Sequence, residues 1–424
     1  MLVEFRAENH RSLRDEQVLT MEAGRIGDDA DMRPREVAGS ANKLLTVAVI
    51  YGANASGKSN VLSAMSFMRE AVVASHRLWS SEEVVPRDQF AWGPKHSDPS
   101  VYEATIIIDG VRYQYGFQAT DAAFTEEWLW AWPKGKKQEW FHREGQDFHF
   151  GENLGGENKL IAEVTRPNAL FLSAAVQHRH AQLQPVFSWF ASIRPVNLFS
   201  ASRRLPVYGF PWSSEFEVAR LLETNAEDGG RAVTDEDSSR LLDQFRAMLR
   251  DADIGILDLR VLKTEDERRR SSPNFALKHE CGFDDAWLEL REESRGTQAL
   301  FHIAWPIIQA FRSGGVLVVD ELERSLHPSL ARQIVLQFND PAKNHRNAQL
   351  ICTTHDTNLL GSTLGEPALR RDQVWLTEKS PEGGSELYPL TDYQPRKGEN
   401  IERGYLQGRY GAIPFLGNWS IWRE

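Results

Sequence analysis

The 424-residue sequence predicts an α/β fold with an antiparallel β-layer and a compact helical insertion, on three observations. The segment "LLTVAVIYGANASGKSNVLSAMSFM" reads as a buried strand to Tyr51, a glycine loop and then a helix. Two further short apolar runs, "VLVVDE" and "QLICTTH", end in polar groups as strands of a central sheet do. Between about Ser100 and Phe150, "VYEATIIIDGVRYQYGFQA" and "EEWLWAWPKGKKQEWFHRE" alternate with period 2 and are broken by turn residues, which predicts antiparallel strands inserted after the glycine loop's helix.

The glycine loop follows the pattern GxxxxGKS from Gly52 to Ser59. Gly52 and Gly57 let the backbone curl around Ala53, Asn54, Ala55 and Ser56 with its N–H groups inward, and the helix that follows adds its positive end. Lys58 supplies a mobile positive charge for terminal phosphates, and the Ser59 hydroxyl is a magnesium ligand type. The helix buries Val61, Leu62 and Met65.

"VLVVDELERSLHP" places two adjacent carboxylates, Asp320 and Glu321, at the end of an apolar strand, where they are costly unless a positive group meets them. In nucleotide hydrolases with this loop a carboxylate at such a strand end holds magnesium, which makes Asp320 the expected partner of Ser59. Glu321 is then the expected general base, and Glu323 and Ser325 are available to cap the next helix. Upstream, in "REESRGTQALFHIAWPIIQAF", Ser294 and Gly296 open a helix whose apolar side carries Leu300, Ile303, Ile307 and Phe311, and its amino end is an anion site. "QLICTTHDTNLL" ends an apolar strand at Thr353, Thr354 and His355.

The rest of the chain is plainer. Trp128, Trp130 and Trp132 share one strand face, which reads as a half-buried sheet face in preference to a stacking platform for bases. Leu241, Leu242, Phe245, Met248 and Leu249 mark an amphipathic helix within a region too short for a long coiled-coil arm. Arg268, Arg269 and Arg270 form a basic stretch that reads as a solvated loop in preference to a contact for nucleic acid or an acidic partner. The expected domains are residues 1–200 as an N-terminal lobe with the inserted β-layer, 201–285 as the helical insertion and 286–424 as a C-terminal lobe.

Composition narrows the classes. A 41% hydrophobic content can fill a core, and a net charge of −11 gives no support to nonspecific polynucleotide binding over the whole surface. Two distant cysteines, Cys281 and Cys352, indicate neither a disulfide scaffold nor a zinc site and suit a reducing cytoplasm. No apolar run approaches the roughly 18 residues of a membrane span, and "MLVEFRAENHRSL" carries charges where a signal peptide is apolar, so no membrane partner and a cytoplasmic location are expected.

In order, "GANASGKS", "SRGTQ", "VLVVDE", "SLHP" and "TTH" resemble the motif series of ABC-type P-loop ATPase heads. "FRAENHRSL" resembles the segment that opens the RecF, Rad50 and SMC branch, and the whole chain, including the tail "RKGENIERGYLQGRYGAIPFLGNW", is most similar to AAA15-type ATPases of the OLD and abortive-infection group, RloA-like proteins among them. The resemblance implies ATP and Mg2+ as cofactors. Carried over by position, it implies that Gly52 to Asn60 bind nucleotide, that Ser59, Asp320 and Gln89 serve the metal, that Glu321 is the base and that His355 senses the γ-phosphate. Asn9, Arg11 and Ser12 would lie near the nucleotide, and Ser294 and Gly296 would complete the site of a second copy. The sequence departs from that pattern at Arg295 and Thr297 in the signature and at His10, where an aromatic is usual.

The resemblance implies a head-to-tail homodimer or higher oligomer, a separate effector such as a nuclease subunit, and DNA or a phage protein as trigger. The stretch after His355 is too short for a TOPRIM nuclease domain and shows no DxD cluster. The expected function is therefore a nucleotide-gated ATPase sensor and scaffold in anti-phage defence. The alternative is a RecF-like DNA-repair ATPase; a transporter's nucleotide-binding subunit is disfavoured by the Asn-x-Arg-Ser start and by "SRGTQ".

Overall fold

A computed structural model describes residues 1–26, 30–196, 214–227, 236–252, 255–262, 273–396 and 398–414. The basic loop of Arg268, Arg269 and Arg270 lies outside them.

A six-stranded sheet holds the centre. It comprises β3 (Val47–Gly52), β9 (Arg194–Val196), β13 (Val316–Val319), β14 (Gln349–Thr353), β15 (Val374–Lys379) and β16 (Ser385–Pro389), in the order β16-β15-β3-β14-β13-β9. All neighbours are parallel except β15 and β16 at one edge. Every residue of β3, β13 and β14 is buried, which is why their sequences are continuously apolar: parallel strands are covered on both faces. Alternate residues feed two cores. Ala48, Ile50, Val318 and Ile351 join the first, whereas Val47, Val49, Leu317, Val319 and Cys352 join the second.

The first core lies under a seven-stranded sheet and α1 (Lys58–Ala74), the helix that follows the glycine loop. That sheet contains β1 (Leu2–Glu8), β2 (Gln17–Thr20), β4 (Ser100–Ile108), β5 (Val111–Ala119), β6 (Phe124–Trp132), β7 (Gln138–Glu144) and β8 (Asp147–Phe150). Its order is β2-β1-β4-β5-β6-β7-β8 with antiparallel neighbours, so the inserted layer extends the hairpin formed by the chain's first strands. Val61, Leu62 and Met65 of α1 are buried against it.

On the outer side of β6, Trp128 is buried and its indole N–H donates to Glu103 at 2.9 Å, while Trp130 and Trp132 are half-buried. Lys137 lies 3.3 Å over the Trp130 ring and Arg112 5.3 Å over Trp132, so cations of the same chain cover these faces. On the inner side Glu127 is fully buried. It accepts the Phe171 and Leu172 N–H groups at 2.6 and 3.0 Å and the Tyr115 hydroxyl at 2.9 Å, with Arg143 beside it, which offsets the cost of a buried carboxylate and ties the layer to α3 (Phe171–Gln177). Helices α2 (Asn158–Val164) and α4 (Gln184–Ala191) flank α3 and lead to β9.

The second core is closed by α5 (Ser214–Glu227), α6 (Glu236–Ala252), α7 (Arg295–Ser313) and α8 (Pro328–Asn339). Leu241, Leu242, Phe245 and Leu249 of α6 are buried, and Phe245 meets Trp305 of α7 edge-on at 5.8 Å. The helical insertion carries one further piece, a three-stranded antiparallel sheet of β10 (Ile256–Leu262), β11 (Asn274–His279) and β12 (Trp287–Glu289). Its strands are short and partly exposed, so they lack the long apolar alternation by which the β-layer is read. A last helix, α9 (Ile401–Leu406), seats Tyr405 5.5 Å from the Tyr51 ring. No helix among the described residues is long and apolar enough to cross a membrane.

Candidate nucleotide site

The site lies at the carboxyl ends of β3, β14 and β13. In the glycine loop, Ala55 and Gly57 take left-handed backbone angles, φ 64° and 109°, so the chain coils before α1 begins at Lys58. A Cβ on Gly57 would overlap the Ser385 hydroxyl, and one on Gly52 would overlap Thr377 and Ser56. Close packing therefore requires both glycines, and left-handed geometry requires Gly57 as well. Lys58 Nζ donates to the carbonyls of Gly52 and Ala53 at 2.9 and 3.0 Å, which holds the ammonium inside the loop. Burial lowers its pKa, opposed by Asp320, Glu323 and Glu321.

Ser59 Oγ donates to Asp320 Oδ1 at 2.9 Å. The two residues are 261 positions apart. The strand that ends at Asp320 is not the immediate neighbour of β3, because β14 lies between them, and so Thr353 at the end of β14 enters the same cluster. Its hydroxyl donates to Asp320 Oδ1 at 2.6 Å and accepts the Glu321 N–H at 2.8 Å. Glu321 has φ 52° and an exposed side chain, with Arg324 Nη1 3.9 Å from its carboxylate. Glu323 binds the next turn: Oε2 accepts the Thr354 hydroxyl at 2.6 Å and Oε1 the His355 N–H at 2.7 Å. Desolvation and, next, the Lys58 charge lower the pKa of the His355 ring, opposed by Glu323, Glu321 and Asp320.

The N-terminal segment also reaches the loop. Ser12 Oγ accepts from Asn60 Nδ2 at 2.6 Å and lies 2.6 Å from Ser385 Oγ, and Ser385 donates to the Ser56 carbonyl at 2.6 Å. Ser56 Oγ lies 2.6 Å from Thr377 Oγ1. A chain of hydroxyls from β15 and β16 thus braces the loop from behind. Arg11 is ion-paired with Asp88 at 2.9 Å, and Gln89, the next residue, is half-buried beside that pair.

The Asn9 side chain turns into the protein. It is fully buried, Nδ2 donates to the Asp98 and Pro99 carbonyls at 2.8 and 3.3 Å, and Oδ1 accepts the Phe90 N–H at 2.9 Å. With these groups engaged inside the protein, Asn9 positions the 88–100 loop. His10 is buried likewise, with Nδ1 2.9 Å from Tyr102 Oη and Nε2 3.1 Å from Ser63 Oγ.

Ser294 and Gly296 stand apart from this cluster. Ser294 is the exposed N-cap of α7, its Oγ accepting the Thr297 N–H at 3.1 Å, and Gly296 lies against the Ser325 carbonyl, where a Cβ would come within 3.1 Å. Among the described residues no hydrogen bond joins either of them to the glycine loop of the same chain.

Thr353 and Glu323, which organise the two carboxylates and His355, and Ser385 and Thr377, which brace the loop, are the functional positions least visible in sequence. For Thr353 and Thr377 the local signal is a hydroxyl at a strand end, as in "QLICTT" and "VWLT", and Glu323 reads in sequence only as a helix cap.

The donor set fits magnesium and a triphosphate. A buried carboxylate faces a hydroxyl at a helix amino end, beside a lysine within a coiled loop. The family described as "AAA domain, putative AbiEii toxin, Type IV TA system" matches residues 47–361, which span β3, the carboxylate strand and His355. The chain belongs to this AAA family. It is thereby an AAA-type P-loop ATPase domain protein. No curated protein matches it. Among solved structures, this AAA-family chain is similar to the SMC head domain from Thermotoga maritima at 12% identity and a TM-score of 0.37, covering 92% of this chain and 98% of that one. It is also similar to the Smc head domain with an extended coiled coil bound to the C-terminal domain of ScpA, derived from Pyrococcus furiosus, at 11% identity and a TM-score of 0.43, covering 93% and 97%.

Proposed function

We propose that the chain is an ABC-like, magnesium-dependent ATPase of the RloA-like abortive-infection group, in which two copies close head to tail on ATP and gate a separate effector in anti-phage defence. The convergence of Ser59, Thr353 and Asp320, at 2.9 and 2.6 Å, carries the catalytic part of this reading. Ser59 and Asp320 would hold magnesium, which neutralises charge on the β- and γ-phosphates. Lys58 and the loop N–H groups bind phosphate oxygens. Glu321, exposed beside the buried Asp320, takes the proton of the attacking water, and His355, tied to Glu323 through its backbone, hydrogen-bonds the γ-phosphate.

Ser294 and Gly296 are separate from this cluster and exposed or half-exposed, which supports their use on the phosphates of a second copy. The defence role is supported by the family's AbiEii description and by the resemblance to abortive-infection ATPases.

Mixing two inactive variants tests the composite site. Lys58→Ala removes phosphate binding and Ser294→Arg blocks the opposing surface, so a heterodimer of the two retains one intact site. An equal mixture should recover about a quarter of parental turnover if the interface is two-fold symmetric. No recovery, with each variant folded, rejects the shared site. For the defence role, Lys58→Ala in the native operon should abolish protection in a plaque assay.

A further inference from the structure

On the second-core side, α6, α7 and α8 frame a groove of about 790 Å3 that contains none of the nucleotide-site residues. Its floor is apolar: Leu241 and Met248 of α6, Ile307 and Phe311 of α7, Leu330 and Ile334 of α8. Phe311 is only partly buried although its ring lies 4.7 Å from Phe338 beneath it. The rim is basic. Arg240, Arg312, Lys343, His345 and Arg346 line it against one acid, Asp251, on a chain whose net charge is −11. Among these, Arg240, Lys343, His345 and Arg346 are exposed.

We propose that this groove binds an acidic amphipathic helix of a partner protein. An apolar floor between helices takes the i, i+3, i+4, i+7 stripe of a helix laid along it. The rim selects for charge: acidic residues beside that stripe meet the basic side chains, whereas a basic helix meets like charge. A nucleic acid would use the cations but not the floor.

The groove is also remote from the surface assigned to the second copy. Phe311 lies sixteen residues after Arg295, about 24 Å along the axis of α7. Ser294 caps α7 and the Glu321 turn precedes α8, so an occupant touches the helices that follow both elements.

Full-length protein without nucleotide is titrated into a fluorescein-labelled 18-residue helix with leucines on one stripe and glutamates beside it, so the measurement does not depend on the ATPase reading. Saturable binding is expected, and the double variant Lys343→Glu, Arg346→Glu, with unchanged melting, should weaken it about tenfold or more. A peptide with lysines for the glutamates, and one of the same composition in scrambled order, should not bind. Equal binding of the scrambled peptide, or no effect of the double variant, overturns the proposal. So does displacement of the helix by a short DNA duplex, or a change of oligomeric state in the double variant, which would assign the groove to nucleic acid or to a second copy.

Discussion

One hydroxyl fixes both carboxylate residues of the site: Thr353 Oγ1 donates to Asp320 Oδ1 at 2.6 Å and accepts the Glu321 N–H at 2.8 Å. A hydrogen bond to a charged group is worth about 1.5–3 kcal/mol, equivalent to roughly 10- to 100-fold in rate if it is needed in the transition state. Thr353→Val keeps the shape and removes the hydroxyl. It should lower ATP turnover by that factor while leaving nucleotide affinity within about threefold, and Thr353→Ser should restore most of the loss. Steady-state kinetics and equilibrium binding of a fluorescent nucleotide separate the two effects; a Val variant with parental turnover would remove Thr353 from the site.

Glu321 sits at φ 52° on an exposed turn, a backbone state that costs a non-glycine residue about 1–3 kcal/mol and persists where the surroundings impose it. The Thr353 and Glu323 hydrogen bonds impose it here. Glu321→Gln keeps size and backbone and removes the proposed base, so turnover should fall by about 10² to 10⁴ with ATP still bound. Light scattering with ATP should then show a longer-lived dimer than the parent forms. Hydrolysis at the parental rate by this variant would assign the base elsewhere.

The glycine loop, the Asp-Glu strand end and the Thr-Thr-His strand end were legible because each is a contiguous pattern whose chemistry and secondary structure agree. The antiparallel layer was legible from period-2 alternation, since one face of β4 to β7 is buried and the other only in part. What braces the loop was not legible. Ser385 and Thr377 stand more than 320 residues downstream of Ser56 and are ordinary strand hydroxyls, distinguished only by the approach of β15 to β3. Asn9 was named beside the nucleotide only through the resemblance of "FRAENHRSL"; that its amide turns inward to the Asp98 and Pro99 carbonyls is a tertiary fact that no local pattern records.

His10 predicts an acid limit to stability. It is fully buried, and burial, with a smaller contribution from Arg11, lowers its pKa from 6.5 to about 3. The unfolded chain therefore binds a proton below pH 6.5 that the folded chain refuses until about pH 3, so stability falls as pH falls through that window. Between pH 6.5 and 4.5 this single group should remove roughly 2 kcal/mol. Urea midpoints across that range should show the slope. His10→Gln should flatten it, at the cost of a lower midpoint at pH 7.5, where the bonds to Tyr102 and Ser63 are disturbed.

Ser385 links three parts of the chain at one hydroxyl: it donates to the Ser56 carbonyl, lies 2.6 Å from Ser12 Oγ, and occupies the space that a side chain at Gly57 would need. Neither magnesium nor water activation requires it, so its loss should act through the shape of the loop. Ser385→Ala leaves the Ser56 carbonyl without its donor and frees the loop to populate conformations that do not cradle phosphate, which lowers affinity by the fraction of competent loops. The expected result is a rise in KM for ATP of about three- to tenfold, consistent with losing one hydrogen bond of roughly 0.5–1.5 kcal/mol, with kcat nearly unchanged. Gly57→Ala should be far more severe, abolishing nucleotide binding because the new methyl overlaps the Ser385 oxygen and the backbone is left-handed. Combining it with Ser385→Gly removes the closest overlap and leaves the Ser12 oxygen at 2.8 Å and the left-handed backbone, so partial recovery of binding in the double variant would measure the Ser385 contribution to packing. If Ser385→Ala instead lowered kcat and left KM untouched, the hydroxyl would belong to the chemistry and not to the brace.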